Sequence, residues 1–266
     1  MYKIKTDKYK PKFICHKENG IFPKNLTFGF ENELEFRKSN EYKPNSHTED
    51  IFNFVIDNNR FIYAKDDSSL NDGVEINSHP FNYNWFLKND VLVYLDALED
   101  RMKVSRNCGF HVHIGRNYLN KEHLINMVKF FYANPKFIES ISLRKDMLYF
   151  CYPYIMKKKG KIDFNLKKNC IALIKNPKIH SRHVALNLNP KKTVEVRIFQ
   201  GTNNKELIKL YLNMVLAIVL YTKKEKFESI SVDNFKAFVY KNRKLFKSII
   251  KSKFLQDYKW NWKMLY

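Results

Sequence analysis

A chain of 266 residues that is 44% hydrophobic and 15% aromatic can bury a core of its own, which excludes a disordered polymer. Four cysteines scattered without a Cys-x-x-Cys pair exclude a disulfide framework and a zinc ribbon. The net charge of +21 is lopsided: residues 1–100 hold 13 basic and 17 acidic side chains, residues 101–266 hold 35 and 10. Lysine supplies 39 of the basic residues and arginine 9, beside abundant Asn, Ile, Phe and Tyr. An AT-rich genome writes such a mixture by codon bias, yet a polarised field also suits an anionic partner such as nucleotide, acidic polymer or nucleic acid. The longest apolar run, Tyr211 to Tyr221, is too short to span a membrane. The N-terminal residues Met1 to Asp7 lack the apolar core of a signal peptide, so a cytoplasmic protein is expected.

Along the chain, residues 1–24 read as a basic irregular segment, 25–222 as the main domain and 223–266 as a basic helical extension packed on it. Short alternating segments predict strands at Thr27–Phe36, Phe61–Lys65 and Val74–Asn77. Helical spacing follows at Asn89–Met102, then a strand at Cys108–Gly115 and a helix at Lys121–Ala133. Two further strands, His183–Asn189 and Thr193–Phe199, are joined by Pro190-Lys191-Lys192 as a hairpin, and helices close the pattern at Asn204–Tyr221 and Val232–Lys253. Strands outnumber what a doubly wound parallel sheet needs, so the expected class is α+β, with about six antiparallel strands and helices on one face.

The alternation inside the strands is the main functional clue. Glu31, Glu33 and Glu35 share one face of the first strand; His111 and His113 share one face of theirs, as do Glu195 and Arg197, and Glu75 stands between Val74 and Ile76. These faces could simply look at water, but solvent faces carry Lys, Ser and Thr. In a chain with 39 lysines none occupies these positions, which points to one concave site.

Carboxylates repel one another and raise one another's pKa unless cations neutralise them. Several carboxylates with imidazole and no thiolate favour Mg²⁺ or Mn²⁺, although His-x-His with a carboxylate is also a catalytic zinc pattern. Arg197 beside Glu195, with Arg182 upstream, suits phosphate oxygens, and metal-bridged phosphates held by cations are the equipment of phosphoryl transfer. A two-metal nuclease or basic nucleic-acid-binding protein, which also gathers Asp, Glu and His, is the alternative.

Five stretches together resemble the amidoligase family, related to glutamine synthetase and glutamate–cysteine ligase. They are Gly29-Phe30-Glu31-Asn32-Glu33, Asp67-Ser68-Ser69-Leu70 with Gly73-Val74-Glu75-Ile76, Gly109 to Gly115, Arg182 to Asn187, and Glu195 to Thr202. The resemblance runs in order from about Thr27 to Val219. It implies a glutamine-synthetase-like antiparallel sheet and an ATP-dependent carboxylate–amine ligase that joins a small-molecule or peptide carboxylate to an amine. By the resemblance, Glu31, Glu33, Glu75, His111 and Glu195 hold the metal ions, and His113, Arg182 and Arg197 face the nucleotide phosphates. Asp67 belongs to the nucleotide-side turn, and Arg144 matches a further arginine more loosely. The turn reads Asp-Ser-Ser where the family has Asp-Gly-Ser, and Arg182 has the parity of Val184 and Leu186, so it needs a strand end or bulge to face the site.

Other residues read as structural. Glu35 suits a salt bridge, His79, His123, His180 and His183 suit surface or packing positions, and Asp67 is also an ordinary turn former. Trp260 and Trp262 read as anchors of the C-terminus, and the lysines of 236–253 as a solvated helix face. The basic stretch Met156–Lys178 carries no recognisable motif and is expected to supply any closing loop.

Overall fold

The computed structural model describes residues 15–37, 61–65, 67, 69–70, 73–98, 101–144, 151–153, 155–157, 160–177 and 183–252. The expectations for Arg182, His180, Trp260 and Trp262 lie outside these residues. The chain divides into two compact units, residues 1–118 with 200–207, and residues 119–199 with 208–266. No helix among the described residues is long and apolar enough to cross a membrane.

The first unit is built on β1 (Thr27–Phe36), flanked by β3 (Gly73–Ser78) and β6 (Gly109–Gly115), with β2 (Ile62–Lys65) beyond β3. Every pairing is antiparallel, and the short strands β4 (Phe81–Asn82) and β5 (Met102–Lys103) pair with the two ends of β1. Period-2 alternation divides the sheet as its sequence dictates. Phe28, Phe30, Leu34, Val74, Ile76, Phe110, Val112 and Ile114 are all buried, with Phe30 stacked on Phe110 at a centroid distance of 5.5 Å. The polar exception on that face, Asn32, donates to the Thr202 carbonyl at 2.9 Å and so pins the 200–207 segment to β1.

The expected helix over Asn89–Met102 shrinks to the five residues of α2 (Tyr94–Leu98), with Met102 already in β5, and a helix the sequence reading did not place, α1 (Tyr83–Lys88), precedes it. Asn82 caps the start of α1 by accepting from the Trp85 N–H. Asn89, read from sequence as a helix start, instead ends α1, its side chain and its N–H both donating to the Trp85 carbonyl.

The second unit contains α3 (Lys121–Ala133), α4 (Pro135–Ser142), a two-strand ribbon β7 (Met156–Lys157) and β8 (Gly160–Lys161), and α5 (Lys167–Lys175). It continues with β9 (Leu186–Asn187), β10 (Thr193–Gln200) up to Phe199, α6 (Lys205–Lys224) from Ile208 onward, α7 (Val232–Lys241) and α8 (Lys247–Lys251). Phe130, Phe137, Tyr221 and Phe235 form an aromatic core with edge-on contacts of 5.1 to 5.9 Å. His123 packs as expected, its Nε2 3.0 Å from the Val219 carbonyl and 3.1 Å from Thr222 Oγ1.

The predicted hairpin forms, Glu195 pairing with Asn187 and Val196 with Leu186. Its first strand is shorter than the expected His183–Asn189: the His183 carbonyl and the Ala185 N–H bond the backbone of Tyr152, and the Asn189 N–H turns to Asn187 Oδ1. The expected helix over Val232–Lys253 breaks at Asn242, whose side chain donates back to the Phe238 carbonyl at 2.8 Å.

Candidate functional site

Three strands of the first unit bring the acidic and imidazole side chains together. Antiparallel register sets Glu31 directly opposite His111 on β6 and Glu33 directly opposite Glu75 on β3, and directly opposed residues share a face. Glu31 divides its oxygens between two rings: Oε2 lies 3.1 Å from His111 Nδ1 and Oε1 lies 3.0 Å from His113 Nε2. Glu33 accepts the Gly109 N–H with Oε2, and its Oε1 stands 3.7 Å from His111 Nε2. Glu33, Glu75 and His111 are buried.

Burial pushes the Glu31 carboxyl up, but the His113 charge and the bonds from both rings outweigh it and hold Glu31 well below the usual carboxylate range. Glu75 goes the other way. Burial first, then the nearby Glu31 charge, pushes it up to about 7 against the pull of Lys65 and Asn77. The contrast follows from partners: Glu31 has two rings, whereas Glu75 has a crowded carboxylate neighbourhood.

Asp67 is the turn former that the sequence allowed. Its Oδ1 accepts the Ser69 N–H at 2.8 Å and its carbonyl accepts the Leu70 N–H, so it shapes the turn. Its carboxylate also joins Glu33 and Glu75 in a group whose ligand atoms lie within 4.8 Å of one another. That places Asp67 with the carboxylates rather than apart from them.

Two partners had no signal in the sequence. Lys65, at the end of β2, faces Glu75 across the ladder and reaches its Oε1 at 2.9 Å. Asn77 donates to the same oxygen at 2.7 Å. Strand parity alone names no partner, and only the β2–β3 register could have found the pair. Burial lowers the Lys65 pKa, but the Glu75 charge and hydrogen bond, with Glu31 behind them, raise it above its usual value.

This donor set suits a hard divalent cation, because it offers several carboxylate oxygens and imidazole nitrogen with no thiolate. The raised pKa of Glu75 marks negative charge that a cation would relieve. Glu35, on the same strand face, does not make the salt bridge expected of it: it is buried, and its Oε1 has no hydrogen-bond partner among the described residues.

Glu195 and Arg197 belong to the second unit, side by side on one face of β10. The Arg197 guanidinium donates to Glu195 Oε1, and the Asn187 amide donates to Oε2 at 2.7 Å. Arg144 is buried just after Leu143, a left-handed residue at φ 54° that ends α4. Burial pushes the Cys151 thiol up to about 11, while the Arg144 and Arg197 charges pull it down, so both guanidiniums lie near this one thiol. Arg197 is thus held by the Glu195 carboxylate.

No curated protein matches the chain. Residues 23–219, about three quarters of the sequence, match the family described as "Putative amidoligase enzyme", and the chain therefore belongs to the amidoligase family.

Proposed function

We propose that this member of the amidoligase family is an ATP-dependent carboxylate–amine ligase acting through an acyl phosphate on a glutamine-synthetase-like sheet. The observation that carries the reading is the convergence of Glu31, Glu33, Glu75 and His111 on one face of β1, β3 and β6, within a chain of ligase family.

In this reading a substrate carboxylate oxygen attacks the γ-phosphorus of ATP, and the bond from that phosphorus to ADP breaks. The amine nitrogen then attacks the acyl carbon, phosphate leaves with the carbon–oxygen bond pair, and the nitrogen loses a proton. Glu31, Glu33, Glu75, His111 and, by the family's motif order, Glu195 would hold Mg²⁺ or Mn²⁺. Such an ion supplies Lewis-acid neutralisation of phosphate oxygens. His113 sits at the less buried edge of the Glu31 pair and would meet phosphate there. Arg197, with Arg182, would offer guanidinium donors to the transferring phosphoryl group, whose charge they match. Glu31 orients both imidazoles, fixing which ring nitrogens carry protons.

The test follows the oxygen atoms. A pool of amino acids and peptides labelled with oxygen-18 in their carboxylates is incubated with the enzyme, ATP, Mg²⁺ and amines. Label is expected in the phosphate released, because the attacking oxygen leaves with phosphorus. ADP formation with unlabelled phosphate would mean plain hydrolysis and contradict the ligase reading.

A further inference from the structure

The Lys65–Glu75 pair stands where a cation is wanted. Glu33, Asp67 and Glu75 converge with their ligand atoms within 4.8 Å of one another. Lys65 arrives from the neighbouring strand, directly opposite Glu75 in the β2–β3 register, and places Nζ 2.9 Å from Oε1. The Asn77 amide donates to that same oxygen at 2.7 Å, so Oε1 is already engaged by two N–H donors. Lys65 keeps a quarter of its side chain exposed, which gives its flexible stem somewhere to go. Another lysine–carboxylate pair in this unit, Lys88 with Glu18 at 3.0 Å, lies on the surface and involves none of these carboxylates.

We propose that Lys65 is a tethered stand-in for a metal ion: its ammonium neutralises the Glu33–Asp67–Glu75 group in the metal-free protein and is displaced when a divalent cation binds. The physical reason is mutual exclusion. Coordination of a divalent ion by a carboxylate needs oxygens at about 2.0 to 2.6 Å, and an ammonium bonded to the same carboxylate repels that ion and competes for its lone pairs. The pair lets the acidic group fold without metal, and it weakens metal affinity by the free energy of the contact that must be broken. This inference rests on the metal reading proposed above.

The experiment uses manganese(II) chloride alone, without nucleotide, on the full chain. Affinity is measured calorimetrically for wild type, Lys65→Met and Lys88→Met, and acylation of Lys65 in the wild type is followed by mass spectrometry with and without Mn²⁺. Lys65→Met is expected to bind Mn²⁺ about five-fold tighter than wild type, the order set by one partly exposed ion pair. Lys88→Met, which loses the same charge elsewhere, should bind as wild type does. Acylation of wild-type Lys65 should speed up on saturation with Mn²⁺, which keeps the inference testable if Lys65→Met fails to fold. Equal or weaker binding by a folded Lys65→Met, or Lys65 acylation indifferent to metal, overturns the stand-in role and leaves the metal site intact. Absence of Mn²⁺ binding to wild type and variant alike overturns the metal reading itself.

Discussion

Glu33 is anchored to the strand beside it: one carboxylate oxygen accepts the Gly109 N–H of β6, and the other turns toward the His111 ring 3.7 Å away. The two oxygens therefore have separable roles, and Glu33→Gln separates them. A glutamine can still accept the Gly109 N–H with its amide oxygen while removing one charge from a crowded acidic group. The metal-free melting temperature is expected to hold or rise slightly, and metal-dependent ATP turnover to fall by at least about 100-fold. Glu33→Ala, which orphans a buried N–H, should instead lose about 1–3 kcal/mol of stability. Thermal melts and a turnover assay on the two variants check this. A glutamine variant that unfolds would make Glu33 a structural residue.

The two histidines on β6 should part company. His111 is buried, 3.1 Å from Glu31 and among the proposed ligands, whereas His113 keeps about a fifth of its side chain exposed. His111→Ala is expected to weaken Mn²⁺ binding by about 10- to 100-fold. His113→Ala should mainly raise the KM for ATP, with Mn²⁺ affinity moving by less than roughly three-fold, since the role proposed for it is a phosphate contact rather than a ligand. Calorimetry with metal and steady-state kinetics with ATP separate the two.

Gly201 has no room for a side chain. A Cβ there would stand 2.8 Å from that of Cys108 and 2.9 Å from the Glu33 carbonyl, while the Gly201 N–H donates to the Cys108 carbonyl. Gly201→Ala is expected to cost about 1–3 kcal/mol through overpacking. Because the clash involves the backbone of β1 at Glu33 itself, Mn²⁺ affinity should fall as well. Denaturant unfolding and metal titration of the one variant test both effects.

His123 gives the second unit an acid-sensitive joint. Burial, with Lys223 adding to it, lowers its pKa from 6.5 to about 4, although the Val219 carbonyl pulls the other way. A depressed folded pKa means that the native state binds the proton less tightly than the unfolded chain. The associated stability is present above pH 6.5 and is lost as pH falls toward 4, at most about 3 kcal/mol. Wild type should therefore lose stability between these values, and His123→Gln should flatten that part of the profile. An unchanged slope in the variant would show that other groups set it.

The sequence carried β1, β3 and β6 because one face of each is apolar and the other acidic or imidazole, a pattern that fixes both period and direction. The same alternation exposed Glu31, Glu33, Glu75 and His111. It could not show that Glu33 reaches Gly109, or that Lys65 reaches Glu75, since those contacts depend on strand register. Helix ends were less legible. Asn89 is as good a cap for the helix behind it as for one ahead, and Asn242 breaks a run whose apolar spacing continues to Phe246 and Ile249. Pro135 opens α4 as its first residue, directly after α3 has ended at Ala133.

The most direct measurement is the melting temperature of the wild-type chain with Mg²⁺ alone, ATP alone and both together at millimolar concentration. A ligand at 100 times its Kd stabilises the folded state by about 2.7 kcal/mol, so genuine binding registers clearly. The account predicts a joint shift well above the sum of the separate ones, and its disappearance in Glu33→Gln. No shift with ATP and Mg²⁺ together, or the same shift in Glu33→Gln, would contradict it.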